Sequence, residues 1–358
     1  MSIDALRGFD MFWIVGGQEL ALAVARMVAD PLPPAVQQQF EHVEWEGFVA
    51  WDLIMPLFLF VVGVAMPFSF ARRLEEGGST RDLHWKIIRR TLILFVLGMA
   101  VQGHLLDFNL ATLHIYCNTL QAIAAGYLVA GFLLLHAGIA AQVAFAAAML
   151  VGFWALVMFV PVPGYGAGVL RPDANLPLAV DEFVLGRFRD GTSYTWVLSS
   201  MTFTASVLLG VFAGHVLRSA NRAGWKFAAL VAMGVASLAA GWAWATWGGF
   251  PIIKHIWTSS MTLWAAGWSY LLVALFYLLI DVWKLRRWAF PLIVIGMNAI
   301  TIYVAYHFVP FREISDGLVG GLASHLGRGG PALVELGTVS LVWLLLYHMY
   351  RQKIFLRI

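Results

Sequence analysis

The chain has 358 residues, of which 61% are hydrophobic and only 12% charged, with a mean hydropathy of +0.78. Soluble domains carry about 25% charged residues, so this composition excludes a soluble protein and predicts that most of the chain lies in a lipid bilayer. The net charge of +3 does not indicate nucleic-acid binding, because the basic residues fall in short loops between apolar segments. The single Cys117 excludes an intrachain disulfide and is expected to be buried. No cleavable signal peptide is expected at the N-terminus.

Apolar segments long enough to cross a membrane recur along the whole chain. A membrane helix needs roughly 20 mainly apolar residues, and about ten segments meet that criterion. The predicted spans are Phe9–Val28, Phe48–Phe70, Ile87–Gly103, Ile115–Leu135, Ala140–Val160, Trp196–Leu217, Phe227–Trp247, Ser259–Val282, Phe290–Phe308 and Pro331–Tyr350. The sequence therefore predicts an all-α polytopic membrane protein with one transmembrane domain over residues 1–358.

The charges of the loops predict the orientation of these spans. Every second connection is rich in Lys and Arg, and the alternate connections are acidic or mixed. By the positive-inside rule, both termini are then cytoplasmic, which agrees with an even number of spans. The loop that carries His42 and the long connection Pro161–Tyr194 then face the outside. The second of these is too short for a domain but long enough for a lid.

The start of the second span combines a histidine with a carboxylate. His42 precedes the span, and Asp52 lies about one helical turn inside it. Intramembrane carboxylates are costly and mark functional sites, and a nearby carboxylate orients an imidazole and raises its basicity. Pro56 and Pro67 remove backbone donors and predict breaks in this helix. The alternative is an interfacial His42, with Asp52 bonded to a buried backbone amide.

Further polar side chains lie in other spans. Asp10 and Gln18 occupy the first span, Asn118 and Gln121 share one face of the fourth, and Asn298 lies in the middle of the ninth. Interhelical hydrogen bonding explains such amides as well as a binding site does. Four more histidines, His104, His114, His255 and His307, lie near the outer ends of spans and are predicted to be interfacial. No metal motif is present, so no metal site is predicted.

Several of these segments resemble one known family. The chain opens with Ser2-Ile3-Asp4-Ala5-Leu6-Arg7-Gly8, and the most specific stretch runs from His42 through Trp45, Gly47, Asp52 and Pro56 to Gly63. Leu120-Gln121, Leu208-Leu209-Gly210 and Gly296-Met297-Asn298 follow in the same order along the chain. Together they resemble the heparan-alpha-glucosaminide N-acetyltransferases and their bacterial relatives. Gln18 stands where that family often has Asn, and two arginines of the family are absent around Leu120-Gln121.

The resemblance implies a transmembrane acetyl transfer from cytosolic acetyl-CoA to an amino sugar on the outer side of a bacterial inner membrane. It places the family's catalytic histidine on His42, either as the base or as the carrier of the acetyl group, with Asp52 as its partner. Hydrogen bonds to the reacting carbonyl are expected from Gln18, Asn118, Gln121 or Asn298, and Asp10 is a further candidate for substrate contact. The basic residues expected to bind the CoA phosphates are Arg7, Arg72, Arg73, Arg89 and Arg90.

Other functions are consistent with the same residues. In a proton-coupled transporter of small solutes, Asp10, His42 and Asp52 would form a proton relay. Such a transporter should have paired broken helices. An O-acyltransferase acting on a sugar or lipid hydroxyl and a non-enzymatic membrane scaffold also remain open, as does a homodimer.

Overall fold

In the computed structural model, which describes residues 1–355, the chain forms fifteen α-helices and one short β-hairpin. The hairpin pairs β1 (Leu170–Arg171) with β2 (Ala174–Asn175) in antiparallel register. The helices are α1 Ser2–Phe12, α2 Gln18–Val28, α3 Pro34–Gln37, α4 Ile54–Glu75, α5 Thr80–Val101, α6 Thr119–His136, α7 Ile139–Phe159, α8 Leu176–Leu185, α9 Ser200–Arg218, α10 Ala223–Thr246, α11 Ser259–Phe276, α12 Phe290–Met297, α13 Ala299–Phe308, α14 Phe311–Ala323 and α15 Gly330–Arg351.

The prediction of an all-α polytopic membrane protein is confirmed. Within the described residues, eight helices are long and apolar enough to cross a membrane, or nine if the bent pair α12–α13 is one span. About ten were predicted, and each predicted span coincides with a helix. Helix α5 was predicted as a span but is not counted among these helices, because its first half carries the charged residues Lys86, Arg89 and Arg90. The cytoplasmic location of the termini stays a prediction.

The predicted helix breaks at Pro56 and Pro67 are wrong. Helix α4 runs unbroken through Pro67, and Pro56 lies in its first turn, where a missing N–H leaves no helical hydrogen bond unmade. The breaks occur elsewhere. The first span contains a π-helical segment, Trp13–Gly17, with a non-helical backbone at its end and φ +114° at Gly16. The ninth span bends by 76° between α12 and α13.

The chain divides into two compact units. The terminal unit comprises Met1–Val43, Val49–Ile54 and the described chain from Leu275 to Phe355. The central unit comprises Glu44–Phe48 and Met55–Ala274. A single domain over the whole chain stays a prediction.

Close backbone contact joins α1 to α12 in the terminal unit. A Cβ on Gly8 would lie 1.7 Å from the Leu292 carbonyl oxygen, and a Cβ on Gly296 would lie 1.9 Å from that of Asp4. Only glycine fits such a crossing, since any side chain would overlap the opposite backbone. The resemblance segments at Gly8 and Gly296 are therefore two halves of one packing contact.

A second glycine contact joins α4 to α9 in the central unit. A Cβ on Gly63 would lie 2.0 Å from the Val207 carbonyl oxygen, and one on Gly210 would lie 2.0 Å from that of Phe60. Gly214, one turn further along α9, meets Val64 in the same way. Gly210 and Gly214 thus form a GxxxG contact, in which van der Waals packing of backbones joins helices.

The outer connection Pro161–Tyr194 is folded. It contains the hairpin and α8, whose Asp181 is fully buried. Burial raises the pKa of Asp181 to about 6. The carboxylate accepts hydrogen bonds from the backbone N–H groups of Trp196 (2.7 Å) and Val197 (2.8 Å), which lower the pKa but do not offset the burial. These bonds fasten α8 to the chain that leads into α9. The role of this connection as a lid stays a prediction.

Replacing Gly210 by Ala should destabilise the protein strongly, because the new Cβ would force α4 and α9 apart. Steric changes of this kind in a packed core cost about 1–3 kcal/mol or more. The melting temperature of Gly210→Ala in detergent should therefore lie well below that of the parent protein. Gly138→Ala is the matched control, since φ there is −67° and nothing lies within 4 Å of the new Cβ. Equal melting temperatures for the two variants would contradict the glycine contact.

Single cysteines should test the predicted sidedness. Glu76 follows α4 and Ala167 lies in the outer connection, and both are exposed. A membrane-impermeant maleimide added to intact cells should label Ala167→Cys and leave Glu76→Cys unlabelled until the membrane is opened. The native Cys117 is buried and supplies the background. Labelling of both positions from the same side would overturn the topology.

Candidate active site

His42 and Asp52 are in direct contact within the terminal unit. The His42 Nδ1 atom lies 2.7 Å from Asp52 Oδ1, and Asp52 is fully buried while the His42 side chain is 42% exposed. The second carboxylate oxygen of Asp52 accepts a hydrogen bond from the Val49 N–H at 3.2 Å. The pair therefore joins a buried acceptor to an accessible ring.

Local structure explains why Asp52 points back toward His42. A 3₁₀ turn, Ala50–Leu53, precedes α4, and the Asp52 N–H donates to the Val49 carbonyl at 3.0 Å. The carboxylate thus covers the start of the turn, where backbone N–H groups lack helical partners. His42 lies in the irregular chain before this turn, so the hydrogen bond to Asp52 also anchors that loop.

The contact sets the chemistry of the imidazole. A carboxylate is only an acceptor, so the Nδ1 atom carries the proton and donates it to Asp52. Nε2 is then the basic nitrogen of the neutral ring. A buried carboxylate also stabilises the cation that forms when the ring takes up a second proton. The arrangement suits a general base or a nitrogen nucleophile.

Gln18 positions the loop that carries His42. Its Nε2 group donates to the Phe40 carbonyl at 2.6 Å, two residues before His42. The Gln39 side chain accepts a hydrogen bond from the Ala50 N–H at 3.1 Å. The Gln18 amide is therefore engaged with the backbone here, and its predicted contact with a reacting carbonyl stays a prediction.

Asp10 and Asn298 lie apart from the His42 contacts. Asp10 is fully buried in α1, and neither carboxyl oxygen has a hydrogen-bond partner within residues 1–355. Asn298 occupies the bend between α12 and α13, and its Nδ2 group donates to the Ile354 carbonyl at 3.1 Å. The observed role of Asn298 is to fasten the C-terminal tail to this bend.

In the central unit, Asn118 and Gln121 cap helix α6. Asn118 is the N-cap residue, and its side-chain oxygen accepts from the Leu120 N–H at 2.8 Å. The Gln121 oxygen accepts from the N–H groups of Cys117 and Asn118, and its Nε2 group donates to the Ile115 carbonyl. These bonds occupy the Gln121 amide, so its binding role stays a prediction. Cys117 is buried, as the sequence predicts.

The predicted CoA-binding arginines have unequal surroundings. Arg7 forms an ion pair with Asp4 at 3.4 Å, and Arg72 forms one with Glu76 at 2.7 Å. The Arg90 guanidinium lies over the ring of Tyr127. Arg73 and Arg89 are exposed, and within the described part of the chain they have no ion pair or side-chain hydrogen bond. Those two are the most available for an anionic ligand.

The structure also reveals polar residues that the sequence reasoning missed. His255, one of four histidines most of which were predicted to be interfacial, is buried, at 8% exposure, and stacks on Trp45 in the central unit. Lys254, which the predictions did not include, is 4% exposed. The signal was present, because Lys254-His255 interrupts an apolar stretch just before the eighth span. His104 and His307 are exposed near helix ends, consistent with the prediction.

The fold and the His42–Asp52 contact define an integral membrane protein with a paired imidazole and carboxylate at the start of one span. No family model matches the chain. Two curated proteins are similar to it, the heparan-alpha-glucosaminide N-acetyltransferases of Mus musculus and Homo sapiens, each 24% identical over 384 aligned residues. Each alignment covers 89% of this chain and 56% of the relative, so the chain spans about half the length of the curated relatives it matches. The predicted resemblance is thereby confirmed as a distant family relationship.

Proposed function

We propose that this protein is a membrane-embedded acetyltransferase that moves an acetyl group from acetyl-CoA to the amine of an amino sugar. The observation that carries the proposal is the 2.7 Å contact between His42 and the buried Asp52. The distant relationship to N-acetyltransferases supports both the reaction class and the acceptor class. Residence in a bacterial inner membrane, with the acceptor on the outer side, follows from the predicted topology and is part of the proposal.

The reaction needs two proton transfers, one from the amine to His42 and one from His42 to the CoA thiolate. His42 Nε2 removes the proton from the attacking amine as its nitrogen bonds to the thioester carbonyl carbon. The carbon–sulfur bond then breaks, and the CoA thiolate takes the proton from the imidazolium. The products are the N-acetyl sugar and CoA with a free thiol. In the other route, Nε2 attacks the thioester carbonyl carbon, the carbon–sulfur bond breaks and CoA leaves as the thiolate. The amine then takes the acetyl group from Nε2, and the proton that the amine loses goes to the thiolate. Both routes use the same nitrogen.

Asp52 acts through His42 in either route. Its carboxylate fixes the ring and the tautomer, and it stabilises the positive charge that develops on the imidazole. Because Asp52 is buried and also accepts from the Val49 N–H, its position is set before substrate binds. Asp52 is therefore a positioning residue for the imidazole of His42.

His42→Ala should lower acetyl transfer by at least about 10²–10⁴-fold, the usual contribution of a positioned general base. Asp52→Asn should also cause a large loss, because the amide can present its NH₂ group to Nδ1 and favour the wrong tautomer. The double variant should be no worse than His42→Ala, since the two residues act as one unit. The measurement is turnover with labelled acetyl-CoA, with CoA affinity as the control for folding. Near-normal turnover of His42→Ala would favour an interfacial histidine instead.

Arg73→Gln and Arg89→Gln should raise the KM for acetyl-CoA by about tenfold, the effect of losing one hydrogen bond to a charged group. The expected acceptor KM is unchanged. Arg72→Gln should have a smaller effect, because Glu76 already neutralises that guanidinium. Arg171→Gln is the matched control, since Arg171 lies in the outer connection and pairs with Asp173. If neither Arg73 nor Arg89 affects the KM, the phosphates bind elsewhere.

A transporter remains the second candidate, and one observation favours it. The first and ninth spans are both broken, at Gly16 and at Asn298, and both lie in the terminal unit. Paired broken helices of this kind mark transporter sites. Uptake of a labelled amino sugar into proteoliposomes without acetyl-CoA would support this function. Absence of uptake together with acetyl transfer would exclude it.

The acceptor group distinguishes N-transfer from O-transfer. Glucosamine offers one amine and several hydroxyls, whereas N-acetylglucosamine offers only hydroxyls. A labelled product from glucosamine alone supports the proposed reaction. A product from both sugars indicates an O-acyltransferase.

A further inference from the structure

Residues 251–258, between α10 and α11, form a buried segment without regular secondary structure, which we call the buried loop. Ile253, Ile256 and Thr258 are fully buried. Hydroxyl groups satisfy the loop backbone, since both Thr258 and Ser260 donate to the Pro251 carbonyl at 2.9 Å. Non-helical backbone within a membrane protein is tolerated where it is packed in protein or lines a cavity. Burying irregular backbone costs free energy unless its polar groups are bonded, so such a loop indicates a function.

The buried loop carries features that are unfavourable for stability alone. Lys254 and His255 are 4% and 8% exposed, and lysine is among the residues least often buried. Trp257 has φ +53°, a backbone conformation that is costly for a bulky residue. Its indole N–H donates to the Ser206 hydroxyl at 3.1 Å, which holds the strained conformation. A strained backbone and buried ionisable side chains in one loop are typical of functional sites.

Three aromatic rings are arranged around the buried loop. The ring of His255 stacks on Trp45, with centroids 5.4 Å apart and planes 17° apart. The ring of His255 also contacts Tyr194, with centroids 4.4 Å apart and planes tilted by 42°. Trp45 and Tyr194 are half-buried, so part of each ring surface is accessible. We call these three residues the aromatic cluster.

Hydrogen bonds join the chain segments that carry these rings. The Trp45 Nε1 group donates to the Leu170 carbonyl at 2.7 Å. The Gly47 N–H donates to the Ile252 carbonyl at 2.9 Å, and the Thr195 N–H donates to the His255 carbonyl at 3.0 Å. Chain segments that are distant in sequence therefore meet at the aromatic cluster.

We infer that the aromatic cluster is the binding site for the sugar ring of the acceptor, an inference that rests on the proposed function. The C–H face of a pyranose is apolar, whereas its edge carries hydroxyls. Rings with an apolar face and a polar tip match both, as Trp, Tyr and His do.

One ring of the aromatic cluster is close to His42 along the chain. Trp45 follows His42 by three residues, and three residues of extended chain span at most about 11 Å between their Cα atoms. The loop that carries the proposed base therefore also carries one ring of the proposed sugar site.

Ligand binding without turnover tests the inference directly. Saturation-transfer NMR of the detergent-solubilised full chain with glucosamine, and with no acetyl donor, should give a signal from the ring protons. Trp45→Ala and Tyr194→Ala should lose most of it. In the transfer assay, each should raise the glucosamine KM by about three- to tenfold, with the acetyl-CoA KM unchanged. His255→Phe keeps a ring in the stack and should cost less than His255→Ala.

Trp247→Ala is the matched control. Trp247 is an exposed aromatic residue of the same unit, at the end of α10 that leads to the buried loop. It should leave both the NMR signal and the KM unchanged. Melting temperatures identify any variant that fails to fold. If Trp45→Ala fails, Tyr194→Ala tests the sugar site, because Tyr194 is only half-buried.

The outcomes separate the inference from the proposed function. Sugar binding that depends on the aromatic cluster, without any acetyl transfer, would support the site and refute the reaction. Acetyl transfer with an unchanged glucosamine KM in both Trp45→Ala and Tyr194→Ala would overturn the site and leave the reaction standing. An equal rise in the acceptor KM of Trp45→Ala and Tyr194→Ala with a small non-sugar amine would also overturn the site, since such an amine has no ring to stack.

Discussion

The burial of one carboxylate constrains the start of the second span. An ionised Asp52 without a partner would carry a desolvation cost of several kcal/mol. The structure meets this cost with the His42 ring and the Val49 N–H. A loop that would otherwise be free is thereby fixed to the end of a helix. The same contact favours one tautomer of the imidazole, so that a requirement of stability also prepares a group suited to proton transfer.

Glycine contacts build the scaffold of each unit. Gly8 and Gly296 bring α1 onto α12, and Gly63 and Gly210 bring α4 onto α9, each at backbone contact. Lipid removes the hydrophobic drive for helices to associate, so close packing has to supply the attraction. The motif segments of the chain serve two purposes for this reason. Some place reactive side chains, and others place the helices that carry them.

The sequence predicted helices well and helix breaks poorly. Each predicted span lies on an observed helix, because hydropathy over some 20 residues is a strong signal. The breaks at Pro56 and Pro67 were wrong, since Pro56 falls in the first turn and neighbouring helices tolerate Pro67. The real breaks lie at Gly16, where φ is +114°, and at Asn298, whose side chain bonds to Ile354 of the C-terminal tail, 56 residues further along the chain. Local sequence does not contain that information.

The sequence by itself determined the membrane class and the number of membrane-crossing helices to within one or two, and it predicted the pairing of His42 with Asp52 beside an alternative. Those features depend on composition and on residues only ten positions apart. Tertiary structure decided the partners of the amides, so that Gln18 anchors a loop and Gln121 caps a helix. It also assembled Trp45, Tyr194 and His255, which are up to 210 positions apart in the numbering. Contacts over such separations arise from packing of the whole chain, and hydropathy and periodicity carry no record of them.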